Sequence, residues 1–334
     1  MSRAALSLVV SLLIGIVAPS TAAAQALEVT ITNPNVNEAE VRSNLGDAVD
    51  SELRLSDQSE FLDQMVHATL LAAKGMGTDY ASSPQKFVLG VSIGSGLAGN
   101  GFGFGYGSGL LPSGGFAFQM AVTGGLNLGW LAGSDGFARR VVLYGHGMGV
   151  SGARDPFESS AAAFGGHVQV AVVKPQSEGS VGWGGLQATT GFEYARYELS
   201  LNQAVPFESA AANWNADGSY VVEASGMSIP LELSTNMRLG FLSLFGGGAL
   251  DFDMNAGSSS EVALDGPLVA DVNGSEQEVG TARVSVTDAV DGGGVAPRFF
   301  AGLQINILPV KLYGQLNMAA GRGFGGHAGI RVAI

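Results

Sequence analysis

The sequence predicts an all-β protein, an antiparallel transmembrane β-barrel of about ten strands preceded by a short helical N-terminal segment. Three observations predict it. Segments of about nine to fifteen residues alternate apolar and polar side chains right up to Ile334, the length a tilted strand needs to cross a bilayer. The chain opens with the pattern of an export leader. Between Lys86 and Asp135 no side chain is charged, yet glycine makes up too much of that stretch for it to cross as helix.

Residues 1–24 read as a signal peptide: Arg3, an apolar run from Leu8 to Val17, Pro19, then Ala22-Ala23-Ala24-Gln25-Ala26, with cleavage expected after Ala24 or Ala26. The apolar run is too short to span a bilayer as a retained helix. An exported chain without cysteine has no disulfides and no lipid-attachment thiol, so its sheet and its surroundings must stabilise it. Losing Arg3 with the leader takes the formal charge of −13 to −14. Such a surface repels nucleic acid and disfavours basic amphipathic binding to membranes.

Residues 25–85 follow a helical period. Phe61, Leu62, Met65, Val66, Thr69, Leu70 and Ala73 form an apolar stripe, with Ser56 or Asp57 as a cap and Gly75 at the stop position. A second, acidic helix is expected over Asn37 to Leu53. Plugging a lumen, packing beneath the barrel and binding a periplasmic partner are the roles open to this segment.

Residues 86–334 carry the strands, expected near 86–96, 115–130, 139–150, 161–174, 183–200, 218–235, 239–253, 295–307, 310–319 and 325–334. In the penultimate one, Val310, Leu312, Leu316 and Met318 share a face opposite Lys311, Tyr313, Gln315 and Asn317. Ten strands bring both ends of the barrel to one side. The connections at 236–238 and 308–309 then become short inner turns, and 97–114, 151–160, 201–217 and 254–294 become outer segments. The last is long enough to hold a further hairpin, from Glu261 to Val269 and from Glu278 to Thr287, which raises the count to twelve. Gly99, Gly101, Gly103, Gly105 and Gly107 alternate with Asn100, Phe102, Phe104 and Tyr106, as expected of a strand tip running into an outer loop.

With these features in place the chain resembles bacterial outer-membrane β-barrel proteins of the porin-like type. The resemblance covers residues 86 to 334. It rests on the leader, the amphipathic strands, Ile229-Pro230-Leu231 entering a unit that continues as Phe245-Gly246-Gly247-Gly248-Ala249, and the amphipathic C-terminal strand. It implies an outer-membrane location in a Gram-negative (diderm) bacterium, with membrane lipid and the barrel-assembly machinery as partners. Barrels of this type end in an aromatic residue, whereas this chain ends in Ile334.

No catalytic, metal or cofactor constellation emerges, and no enzyme is expected. His67, His146, His167 and His327 show no paired ligand spacing, the run at 99–109 lacks a phosphate-binding lysine, and no Gly-x-Ser-x-Gly elbow is present. His167 and His327 are expected to face inward, within reach of Glu193, Asp251 or Asp253. The residues expected to line a lumen are Lys311, Arg331, Arg298, Gln304, Asn317, Glu232 and Asp251. An internal echo, Pro156-Phe157-Glu158-Ser159 against Pro206-Phe207-Glu208-Ser209, makes Phe157 and Phe207 candidate contacts on outer loops. Two functions stand: a small channel for passive or ligand-selective passage of small solutes, and a closed structural or adhesin-type barrel that displays acidic, glycine-rich loops.

Overall fold

The computed structural model describes residues 21–53, 58–82, 84–99, 114–133, 136–178, 180–209 and 211–334. In chain order these form β1 (Thr21–Ile31), α1 (Glu38–Leu53), α2 (Gln58–Ala73), β2 (Phe87–Ala98), β3 (Gly115–Asn127), β4 (Val141–Arg154), β5 (Phe157–Val173), β6 (Gln176–Glu178), β7 (Val181–Phe207), β8 (Asn213–Leu239), β9 (Leu242–Val272), β10 (Ser275–Asp291), β11 (Gly294–Ile307), β12 (Val310–Ala319) and β13 (Gly323–Ala333). Both alternatives for the leader cleavage lie within β1. The expected cap at Ser56 or Asp57 and the aromatic-glycine run from Asn100 to Gly107 lie outside the described residues.

Ten strands close a ring by antiparallel pairing in the order β2, β3, β4, β5, β7, β8, β9, β11, β12, β13 and back to β2. Closure removes every unpaired edge from the wall, the condition lipid imposes on a spanning sheet. Outward side chains such as Leu89, Val91, Leu231, Leu233, Leu303 and Ile330 are exposed and apolar, while their neighbours Ser92, Glu232, Gln304 and Arg331 are buried inside. Solvent is therefore sorted inside out relative to a soluble sandwich. The chain is a β-barrel of the outer-membrane type. Among the described residues no helix is long and apolar enough to cross a membrane.

The hairpin expected within 254–294 exists, but it adds no strand to the ring. β7, β8 and β9 run to 27, 27 and 31 residues, far beyond the roughly ten that a crossing takes, and continue past the barrel rim. There β9 pairs with β10, and β10 with β1, to make a five-stranded sheet standing on one end of the barrel. Helix α1 lies on one face of it. Val41, Leu45 and Val49 pack with Trp214, Leu264, Leu268, Val284 and Val286 in the largest apolar core of the molecule.

Along β8 the inward parity never changes, but its chemistry does. Trp214, Ala216, Val222 and Ala224 point in as core, followed by Ser228, Glu232, Ser234 and Asn236 as lumen. The outward parity inverts in the opposite sense, from Asn215, Asp217, Ser219 and Glu223 to Met227, Ile229, Leu231 and Leu233. The switch at Ser225 to Met227 marks where the surrounding solvent changes from water to hydrocarbon. On β9 the same boundary carries a register shift, with Asn255 at φ 47°. From Met227 to Met237 the apolar belt is about 25 Å tall at ordinary strand rise and tilt. Phe164, Phe192 and Tyr194 cluster near its upper rim, and Arg196, bonded to Glu198 and Glu223 at 3.0 Å, stands just above them.

Candidate functional site: a threaded lumen

The chain enters the barrel from the end that carries the tall sheet. Helix α2 fills that mouth, with Ala68 and Ala72 against Ala98 and Ala117, and Val66 and Leu70 against Ala256. The wall meets the helix with glycine because nothing larger fits: a Cβ on Gly96 would lie 1.9 Å from the carbonyl oxygen of Ala68. Gly75, at φ +75°, ends the helix and turns the chain down the lumen. Residues 74–82 then descend to the opposite mouth, where Lys86 donates its backbone N–H to the carbonyl of Ile334 at 2.7 Å.

This descending segment supplies the partners of the lumen. Lys74 donates to Asp253 at 2.7 Å and to Ser228, and lies 3.5 Å from Asp251. The Gly75 N–H reaches Glu193 at 2.6 Å. Tyr80 donates to Glu232 at 2.7 Å, with its ring packed against Phe300 and Phe245. Asp79 sits 3.2 Å from Arg331, and Lys311 donates to Ser82 at 2.8 Å.

All seven residues expected to line a lumen are buried inside the barrel. The structure brings them into two groups. Arg298 donates to Asp251 at 2.8 Å, to Asn317 at 2.9 Å and to Glu232. Arg331 donates to Gln304 at 3.0 Å and to the Thr78 carbonyl at 3.2 Å. Lys311 is tied to the descending segment and lies beside neither group's acids within bonding distance. Buried charges in an apolar shell persist only when paired and bonded in this way.

The histidines divide. His167 Nε2 lies 3.5 Å from Glu193 and its ring stacks on His146. His327 meets not a carboxylate but the carbonyl of Ala72, at 3.1 Å. Among the described residues no three His, Cys, Asp or Glu side chains form a metal-binding group. Outside the membrane belt, burial and the nearby Asp288 raise the pKa of the Tyr220 hydroxyl, and the hydrogen bond from Arg283 to Asp265 raises that of the exposed guanidinium.

The two echoed segments are not equivalent. Phe157 opens β5 beside a tight turn and is 52% exposed. Phe207, expected as an exposed contact, is buried, stacked on Trp214 at 5.1 Å. The reason is the extension of β7 and β8 beyond the barrel, which turns the second copy into sheet beneath α1.

A profile described as Lsa36-like matches residues 23–334. The chain belongs to the Lsa36-like family. No curated protein matches it. Among solved structures, this Lsa36-like protein is similar to the Ralstonia pickettii toluene transporter TbuX, at 8% identity and a TM-score of 0.26, over 78% of this chain and 93% of that one. It is similar to the monoaromatic hydrocarbon channel CymD at 8% identity and TM-score 0.24, over 83% and 98%. For the transport unit of the autotransporter AIDA-I from Escherichia coli the values are 9%, 0.23, 82% and 99%. The barrel fold rests on the closed strand pairing of β2 through β13.

Proposed function

We propose that this Lsa36-like protein is a closed, non-enzymatic barrel of the outer membrane that holds an α/β layer on the cell surface. The observation that carries this reading is the filled lumen: residues 58–82 occupy it and bond Asp253, Glu193, Glu232, Arg331 and Lys311. A solute path would have to break these contacts, two of them between buried charges, at a cost of about 3 kcal/mol or more for each unpaired ion.

Orientation follows from chemistry. One end has the brief turns at 240–241 and 308–309, with Lys86, Arg139, Arg140, Lys174 and Arg238 near its rim. That end faces the periplasm in this reading. The other carries the tall sheet, with Glu261, Asp265, Asp271 and Glu276 exposed to water. Export by removal of a leader ending near Ala24, and insertion by the barrel-assembly machinery, complete the reading.

The test is conductance in a planar bilayer, paired with protease accessibility on intact cells. Silence from folded, heat-modifiable protein, together with cleavage confined to the sheet layer, is the expected result. Steps of stable amplitude from the unmodified chain would establish the small-solute channel in its place.

A further inference from the structure

Among the described residues the sheet layer ends in two strand edges, the upper part of β7 and β1. Each edge is stopped in its own way. Beyond the last pair of β7 with β5, Asn202 donates its N–H to the Pro156 carbonyl at 2.9 Å, so even-numbered residues of β7 turn their backbone groups to that edge. Pro206 is one of them, and it has no N–H to offer an incoming strand.

β1 carries no proline in its described pairing with β10. Thr32 donates to the Val279 carbonyl at 2.8 Å, so even-numbered residues face β10 with their backbone groups, and Leu27, Val29 and Ile31 turn theirs outward. Such a row is a template for another strand. Here a side chain occupies it. Arg42 of α1 reaches over the edge and donates to the carbonyls of Leu27 at 2.9 Å and Val29 at 3.1 Å, while Glu38 accepts from the same guanidinium at 3.1 Å. A planar fork of donors can bridge two carbonyls that a pairing strand would need. The stop at β7 is covalent, but this one is displaceable: Arg42 and Glu38 are 46% and 52% exposed, and an exposed ion pair contributes little.

We propose that Arg42 keeps the β1 edge from pairing with the β1 edge of a second copy of this chain. The edge is self-complementary. Two-fold antiparallel pairing centred on Val29 lets Val29 exchange both hydrogen bonds with its counterpart and sets Glu28 opposite Thr30. Moving the centre to Glu28 would put two carboxylates face to face, so charge selects the first register. Antiparallel edges belong to copies that point in opposite directions, which neighbours inserted in one membrane do not. The contact therefore protects copies on their way to the membrane, a consequence that rests on the outer-membrane reading above, whereas the hydrogen-bond pattern of the edge does not.

The chain has no cysteine, so introduced thiols report the register without background. The test uses the full mature chain in non-ionic detergent, as Glu28→Cys and Thr30→Cys prepared separately, each with Arg42 in place and each with Arg42→Met, then mixed and mildly oxidised. In the ladder centred on Val29, residues 28 and 30 form a non-hydrogen-bonded pair with Cα atoms about 4.5 Å apart, within reach of a disulfide. A cross-linked dimer in the Arg42→Met mixture, about tenfold or more above the mixture that keeps Arg42, is the expected result. Arg42→Lys, which can reach one carbonyl but not bridge two, should fall between them and serves as the second variant if the methionine protein misfolds. Heat-modifiable migration certifies the barrel of each variant, and retained near-ultraviolet dichroism certifies the layer around Trp214. A dimer equally abundant with Arg42 in place, no dimer in either folded variant, or cross-linking of Thr30→Cys alone as strong as that of the mixture overturns the proposal.

Discussion

The Lys74 ammonium lies 2.7 Å from the Asp253 carboxylate, with both side chains almost fully buried. One belongs to the threaded segment and the other to the wall, 179 residues later in the chain. Arg322 bonds the second oxygen of the same carboxylate. This ion group pins the segment to β9 at the height where the barrel passes into the sheet layer.

Replacing Lys74 with methionine keeps the stem and removes the charge. Asp251 retains Arg298 and Asp253 retains Arg322, so the loss falls at the low end for a broken buried pair, about 3 kcal/mol. Hydrogen exchange at the Gly75 amide, which is bonded to Glu193, should speed up by about a hundredfold, while amides of β12 stay protected. Equal exchange in both proteins would show that the pair does not hold the plug.

The polarity inversion on β8 makes a depth prediction. Arginine at Leu231 or Leu233, which point outward in the belt, should cost about 2–4 kcal/mol in the folding equilibrium with lipid vesicles. Arginine at Asp217, on the same parity but above Ser225, should cost less than about 0.5 kcal/mol. Equal costs would remove the water–hydrocarbon boundary from Ser225–Met227.

The barrel wall was readable from sequence because lipid imposes one rule on every strand. Outward residues are apolar and inward ones polar, so Leu312 against Lys311 and Leu303 against Gln304 announce their faces locally. The sheet layer was not readable, because Val262 and Leu264 alternate with Glu261 and Ala263 just as a spanning strand would. Only their partner, the apolar stripe Val41, Leu45 and Val49 some two hundred residues earlier, tells core from lipid face, and that pairing has no local signature. Phe207 reads as an exposed loop residue for the same reason. On the plug, Lys74, Asp79 and Tyr80 follow no strand period. Their signal is charge placed directly after an apolar helix and among Gly75 and Gly77, since a chain turning inside a polar lumen needs both tight backbone and ionic partners.

Gly96 tests the seat of α2. A methyl group there would meet the Ala68 carbonyl at 1.9 Å, so Gly96→Ala must displace the helix or the wall, at about 1–3 kcal/mol. Gly152 near the end of β4, where a Cβ would meet nothing within 4 Å, is the matched control. Thermal unfolding of the barrel by heat-modifiable migration should change little in either variant. Proteolysis within 58–73 should rise only in Gly96→Ala.

Trp214 belongs to the core on the watery side of the boundary along β8. It is fully buried, stacked on Phe207, and donates its indole N–H to the Gly266 carbonyl at 3.2 Å. Trp214→Ala removes the largest side chain of the core beneath α1 and leaves that carbonyl without its donor, a loss of about 3–5 kcal/mol. The barrel wall owes its stability to lipid and to closed pairing, neither of which involves this residue. The sheet layer and α1 should therefore open to protease at temperatures where β11, β12 and β13 remain protected. If the whole chain unfolds in one step with the layer, the two cores are a single cooperative unit, and the separation of solvents along β8 has no thermodynamic counterpart.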